Sequence, residues 1–125
     1  MFKHIFVAMQ QIIEQIQQQY FIWQNELPTQ ITKIPQSGSD RIYFIIGGKK
    51  SCIATYNINI TENETFVYFS QHFSALHINV PQVYFISQNK IIYFQQNVGN
   101  ISLLQVLEHE GYTQNVFNLF KKSLQ

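Results

Sequence analysis

The chain has 125 residues, a formal net charge of +1, and 46% hydrophobic and 15% aromatic residues. This composition predicts one packed globular domain rather than a disordered chain, and the small net charge gives no reason to expect a nucleic-acid or acidic-membrane partner. The apolar run near the N-terminus is too brief for a signal peptide or a membrane span, and the single cysteine cannot form an internal disulfide. We therefore expect a cytoplasmic protein.

The first predicted element is a helix over residues 4–25. Apolar residues recur along it at spacings of three or four and form one continuous stripe: Ile5, Met9, Ile12, Ile16, Tyr20 and Trp23. Such a stripe is typical of a helix that packs on its own domain. Because the period is also close to 3.5, self-association through this helix is the alternative.

Five strands are predicted after the Leu27-Pro28-Thr29 segment, which breaks the helix because proline disfavours helical geometry in the preceding residue. Their β-branched and aromatic residues place them at 30–35, 41–47, 51–57, 82–87 and 91–95. Gly47-Gly48 suits a tight hairpin turn, so the second and third strands should be antiparallel neighbours.

A second helix, over 62–76, is predicted between the third and fourth strands. Thr61 and Glu64 have the spacing of a capping box at its start. Its expected buried face consists of Phe66, Phe69, Phe73 and Leu76.

Two short helices are predicted at the C-terminal end. Ser102 and Gln105 form a second capping box, Gly111 ends the first of these helices, and the last spans about 114–124. The predicted fold is a single α+β domain over 1–125. Its five-stranded antiparallel sheet has one main packing helix, an N-terminal helix and two short C-terminal helices.

Five short segments follow one another in a definite order. They are SDRIYF (39–44), CIAT (52–55), ENETF (62–66), VPQVY (80–84) and YFQQNVGN (93–100). In residue type and order they resemble the amino-terminal lobe of the protein-kinase-like fold, and NLFKKSLQ (118–125) resembles the start of its carboxy-terminal lobe. The similarity is strongest to the aminoglycoside phosphotransferase and choline-kinase-like family, in its bacterial sugar-kinase-like branch, and covers roughly residues 28–108.

The resemblance implies that residues 28–100 are the ATP-binding lobe of a small-molecule phosphotransferase, preceded by the helix of 1–27. Residues 101–125 would lead into a missing C-terminal lobe, which would hold Mg²⁺ and the acceptor. The implied nucleotide-binding residues are the loop residues Ser37, Gly38, Ser39 and Asp40, the adjacent Arg41, Thr55 on the third strand, Glu64 on the helix, and Gln96 and Val98 in the hinge.

The chain departs from the family pattern in three places. The third-strand lysine that binds phosphates in most kinases is absent, because Thr55 or Tyr56 occupies its position. The hinge acids are replaced by Gln96, Asn97 and Asn100. Nothing after residue 100 resembles the catalytic loop or the metal-binding aspartate, and the four histidines lack metal-ligand spacing. We therefore predict no catalytic residue and no metal ligand, and a chain that is inactive on its own.

Each candidate residue also has an alternative interpretation. The loop from Gln36 to Asp40 has the composition of an ordinary β-turn, and Arg41 suits an exposed strand start. The capping-box role would by itself explain Glu64. Residues 95–98 would then be a plain connection between lobes. The alternative function is a non-catalytic remnant or protein-interaction module, whose partner would be a C-terminal lobe or a second copy of the chain.

Overall fold

The computed structural model of the protein describes residues 2–35, 40–76 and 80–99, with side chains from residue 8 onward. Its elements are α1 (Phe2–Gln24), β1 (Gln30–Lys33), β2 (Ile42–Gly47), β3 (Cys52–Tyr56), α2 (Ile60–Ala75), β4 (Val83–Ile86) and β5 (Ile92–Gln95). The α+β class is confirmed, and each of these elements lies within two residues of its predicted bounds. The two helices predicted after residue 100 lie outside the described residues.

All five strands form one antiparallel sheet in the order β1-β2-β3-β5-β4. The predicted hairpin between β2 and β3 is confirmed, and Gly48 in its turn has φ of +155°. Register across the three central strands aligns Tyr43 with Thr55 and Thr55 with Tyr93. These three side chains therefore share one face of the sheet, since side chains alternate along each strand.

Helix α1 packs on the other face of the sheet, which we call the α1 face. Its buried core consists of Ile16, Tyr20, Phe44, Ile46, Cys52, Ala54, Ile92 and Phe94. The ring of Trp23 extends this core by stacking on Phe94, with centroids 5.3 Å apart. The prediction that the apolar stripe packs on its own domain is thus confirmed for residues whose side chains are described.

The C-terminal end of α1 is set by Asn25 rather than by the proline segment. Asn25 has φ of +59°, and its amide donates a hydrogen bond to the Phe21 carbonyl at 2.7 Å. A left-handed residue at this position ends a helix because it turns the chain away from the helical path. The helix therefore stops four residues before Pro28.

Helix α2 packs on the opposite face, which we call the α2 face. Phe66 stacks on Tyr93 with centroids 5.4 Å apart, and Phe73 is buried with it. Phe69 is only half-buried, and Leu76, predicted as part of the buried face, is 46% exposed. In its place the polar residue Ser70 is buried, and its hydroxyl donates to the Pro81 carbonyl at 2.6 Å.

The N-cap of α2 also differs from the predicted one. Asn59, not Thr61, precedes the helix, and its side-chain oxygen accepts a hydrogen bond from the Glu62 amide at 3.2 Å. Asparagine is among the strongest N-cap residues, so it outcompetes the threonine two positions later. Thr61 lies within the first turn, where its carbonyl accepts from the Thr65 hydroxyl at 2.7 Å.

Candidate functional site

A set of buried polar residues crosses the α2 face of the sheet. We call it the polar row; its members are Arg41, Tyr43, Thr55, Tyr93 and Gln95, with exposed fractions of 7%, 4%, 0%, 0% and 0%. They come from β5, β3, β2 and the residue that precedes β2. Because buried polar groups require specific partners, such a row is a candidate site.

Arg41 forms an ion pair with Glu62 of α2. One guanidinium nitrogen, Nη2, lies 2.9 Å from the Glu62 carboxylate oxygen Oε1, and the two side chains are 8% and 33% exposed. Glu62 lies in the first turn of α2 and is held there by the Asn59 cap. The alternative in which Arg41 is an exposed strand-start residue is wrong.

The N-terminal end of α2 is fixed to the sheet by a buried asparagine pair. The side-chain amide of Asn63 donates to the carbonyls of Asn57 and Lys90, both at 2.7 Å. In return, the Asn57 side-chain amide donates to Asn63 Oδ1 at 3.1 Å. These bonds set the rotation of the helix and so determine that Glu62 reaches Arg41.

Glu64, the helix acid predicted from the sequence, is not in the polar row. Its carboxylate lies 3.3 Å from the Lys90 ammonium group, and both side chains are about half-exposed. The residue that sequence reasoning missed is Glu62. The signal was present in Asn59-Ile60-Thr61-Glu62, which is itself an N-cap residue followed three positions later by glutamate.

Thr55 is the third-strand residue that faces α2, whereas Tyr56 packs on the α1 face. The register thus places these two candidates on opposite faces of the sheet. Thr55 is completely buried, and its hydroxyl oxygen has no hydrogen-bond partner among the described residues. A buried hydroxyl without a partner is costly, and a ligand is one of the groups that can satisfy it.

The phosphate-loop candidates Ser37, Gly38 and Ser39 lie outside the described residues. Asp40, the next residue, is exposed, and Arg41 follows it directly at the entry to β2. The structure therefore places Arg41 and Thr55 on the same face of the sheet but does not test the loop.

The hinge candidates lie after β5. The Gln96 amide donates to the Gln82 carbonyl at 2.8 Å, and the Gln96 side-chain oxygen accepts from the Gln82 amide at 3.3 Å. Val98 is 40% exposed. The Gly99 amide, at φ of +79°, donates to Asn97 Oδ1 at 2.9 Å. The segment from Gln96 to Gly99 is thus an ordered, exposed turn that begins beside β4.

Arg41 and the hinge candidates lie at opposite ends of β3. Ile42 pairs with Tyr56 at one end, while Gln95 pairs with Ile53 near the other. The five residues of β3 span about 13 Å at the usual rise of about 3.3 Å per residue. Helices α1 and α2 pack on opposite faces of the sheet, and the polar row on the α2 face is at most 7% exposed.

Metal-binding and nucleophilic residues are sparse in the described part of the chain. Residues 2–35, 40–76 and 80–99 contain no group of three His, Cys, Asp or Glu side chains that could hold a metal ion. His72 is exposed and stacks on Tyr68 at 6.0 Å. Burial raises the pKa of the Cys52 thiol from 9.0 to about 12, although the nearby Lys50 charge opposes this shift. Cys52 is thus a buried apolar residue rather than a nucleophile.

Among the described residues, neither helix combines the length and the apolar character needed to cross a bilayer. The chain matches no protein-family model, and its comparison with curated proteins gives no match either.

Proposed function

We propose that residues 28–100 form the nucleotide-binding lobe of an ATP-dependent small-molecule phosphotransferase. The observation that carries this proposal is the placement of the two candidate ends on one sheet. Arg41 lies at one end of β3, and the exposed hinge segment lies near the other. The separation is about 13 Å along the strand, at about 3.3 Å per residue.

The polar row has groups that suit such a ligand. Arg41 supplies a guanidinium, which binds phosphate oxygens through paired hydrogen bonds. The Thr55 hydroxyl, buried on the same face, has no partner among the described residues. Near the hinge, the partly exposed side chain of Ile45 offers an apolar contact to an adenine ring.

The described residues do not fit a magnesium site. Phosphoryl transfer requires Mg²⁺ held by carboxylate or amide oxygens, together with a base that orients the acceptor. Glu62 is paired with Arg41 and Glu64 with Lys90, and the described part of the chain contains no ligand cluster. The proposed role of these residues is therefore nucleotide binding. Transfer would require groups outside the described residues.

Self-association through α1 is a second candidate function. Phe21, Ile22 and Leu27 are 48%, 66% and 61% exposed, which leaves an apolar patch at the C-terminal end of the helix. The predicted stripe is already used against the sheet, so a second copy would have to bind this other side of α1. Sedimentation equilibrium of the chain and of Ile22→Glu tests this candidate. A dimer that the substitution dissociates would support it, and a monomer across the concentration range would contradict it.

An amide-resolved NMR titration with Mg²⁺-ATP tests the proposed function. We expect saturable shifts of the amides of Asp40, Arg41 and Thr55 at one end and of Gln95 to Gly99 at the other. Titrations with Mg²⁺ alone and with inorganic phosphate at matched ionic strength are the controls. Unchanged spectra up to millimolar ATP, or shifts reproduced by the controls, would overturn the proposal.

A further inference from the structure

We propose that residues 101–125 bind along the outer side of α1, antiparallel to that helix. The site is one open groove, which we call the outer groove; its lining residues are Glu14, Gln17, Gln18, Phe21, Ile22 and Leu27. In this arrangement the apolar residues of the segment cover those of the groove, and its two lysines lie near Glu14. This inference goes beyond the proposed function and does not rest on it.

The first argument is the exposure of the outer groove. Phe21, Ile22 and Leu27 are each about half to two-thirds exposed. Single exposed apolar residues are ordinary on a protein surface, but these three line one groove. The opposite side of α1 is already occupied by the α1-face core, and among the described residues only α1 and Leu27 line the groove. A contiguous apolar surface of this kind marks a contact with a further segment of protein.

The second argument is the position of Gly99, from which the chain continues into the segment. Gly99 closely follows Gln96, whose amide donates to the carbonyl of Gln82, the residue before β4. Within β4, Tyr84 stacks on Trp23 with ring centroids 5.8 Å apart. Trp23 adjoins the groove residues along α1. The hinge and the C-terminal end of α1 are therefore at the same end of the sheet, and the segment starts close to the groove.

The third argument is the length and direction of the segment. At about 1.5 Å per residue, residues 101–125 would span roughly 38 Å as a helix, and more when extended. The part of the groove from Glu14 to Ile22 is about 12 Å long on the same scale. The segment begins near the Leu27 end of the groove, so it is long enough to run along α1 as far as Glu14.

The fourth argument is the match of residue types. In the helix predicted over 114–124, the apolar residues share one side because of their spacing; they are Val116, Phe117, Phe120 and Leu124. The two cations of the segment, Lys121 and Lys122, come late in this run. The antiparallel direction therefore brings them toward Glu14, which is the one charged residue among the six that line the groove. The chain thus carries both an apolar and a charged complement to its own groove.

Paramagnetic broadening in NMR spectra of the full chain tests this contact. A nitroxide label is attached to the thiol introduced by Ser123→Cys, while the native Cys52 is completely buried and stays unlabelled. The readouts are the amide signals of the groove residues, with those of Thr65 and Tyr68 on the exposed side of α2 as internal controls. In the first sample the nitroxide-labelled chain is isotope-enriched. In the second, an isotope-enriched chain without nitroxide is mixed with a nitroxide-labelled chain that is not enriched.

We expect the groove amides to lose most of their intensity in the first sample and to keep it in the second, because the contact is within one chain. Ile22→Glu should restore the intensity, whereas Ile58→Glu, at a position that is 71% exposed, should not. Glu14→Lys should restore part of the intensity, since exposed ion pairs contribute modestly. Lys121→Glu and Lys122→Glu in that same chain should bring the broadening back.

The two samples separate this inference from self-association. Broadening of equal size in the second sample would overturn the inference, because it would place a second copy of the chain in the groove. Unchanged groove amides in the first sample, or a loss of intensity that Ile22→Glu leaves intact, would overturn it as well. If Ile22→Glu does not fold, the two samples still decide the question without it. None of these outcomes bears on nucleotide binding.

Discussion

The Tyr20 hydroxyl forms hydrogen bonds with both backbone polar groups of Lys50. It accepts a hydrogen bond from the Lys50 amide at 2.8 Å and donates one to the Lys50 carbonyl at 2.9 Å. The Tyr20 ring is completely buried in the α1-face core. One side chain of α1 therefore forms hydrogen bonds with the backbone of the turn between β2 and β3 and fixes the helix to that turn.

We expect Tyr20→Phe to lower the free energy of unfolding by about 2 kcal/mol, because it leaves two partly buried backbone groups without their partner. Urea unfolding followed by circular dichroism measures the change. Tyr68→Phe, at a position that is 69% exposed, is the control and should have little effect. Equal stability of the two variants would show that the Tyr20 bonds contribute nothing.

Gly48→Ala should destabilise the fold by at least about 1 kcal/mol, because a Cβ at Gly48 would lie 2.9 Å from the Tyr20 hydroxyl and φ there is +155°. The adjacent Gly47→Ala is the control, since its Cβ would meet its nearest neighbour at 3.5 Å. In a Tyr20→Phe background the cost of Gly48→Ala should fall, because the closest atom is gone. If the free-energy costs of the two substitutions were strictly additive in this double-mutant cycle, the close approach of the Gly48 position to the Tyr20 hydroxyl would be contradicted.

Asn59→Ala should destabilise the protein by about 1 kcal/mol, the usual effect of removing an N-cap. Thr61→Ala should be close to neutral, since Thr61 lies inside the first turn with an exposed side chain. The pair distinguishes the cap that the structure shows from the one that the sequence suggested. Unfolding midpoints in urea decide between them, and a larger effect at Thr61 would favour the sequence-based cap.

Thr55→Val should raise the free energy of unfolding by about 1 kcal/mol, because it removes a buried hydroxyl that lacks a partner among the described residues and keeps the side-chain shape. Thr32→Val on the exposed face of β1 is the matched control. A loss of stability on Thr55→Val would show that the hydroxyl is already satisfied.

The Cys52 thiol should make stability fall at high pH. Its pKa in the folded protein is raised to about 12 by burial, whereas an unburied thiol has a pKa of 9.0. The thiol does not lower the free energy of unfolding below pH 9.0, the pKa of the thiol in the unfolded chain. Stability is lost as the pH rises from 9.0 toward about 12, because the thiol ionises in the unfolded chain but not in the folded protein. At about pH 10.5, the free energy of unfolding of the wild type should have fallen by about 2 kcal/mol relative to that of Cys52→Ala. Parallel pH profiles would contradict the shift.

Local patterns in the sequence were sufficient to locate the helices and strands. The β-branched and aromatic runs placed all five strands, and Gly47-Gly48 placed the hairpin, because these preferences act between near neighbours. The stripe from Met9 to Trp23 likewise identified the packed side of α1. The strand order, with β5 between β3 and β4, depends on contacts between distant residues, and no local pattern encoded it.

The candidate site was less accessible from the sequence. Thr55 and Tyr56 were equivalent candidates until the register placed them on opposite faces, since a shift of one residue exchanges the faces of a strand. The ion pair between Glu62 and Arg41 was hidden for a related reason. The acid that reaches Arg41 depends on the rotation of α2, which a buried asparagine pair sets.

The packing of α1 against β5 has a consequence for how the chain folds. Tyr20 and Trp23 contact Phe94, although most of the described residues separate them from Phe94 along the chain. During synthesis the helix therefore emerges long before the strand that completes its core, and its apolar side has no final partner until then. Closing such a long loop slows folding. We expect the glutamine-rich outer side of the helix to keep the nascent segment from aggregating during that interval.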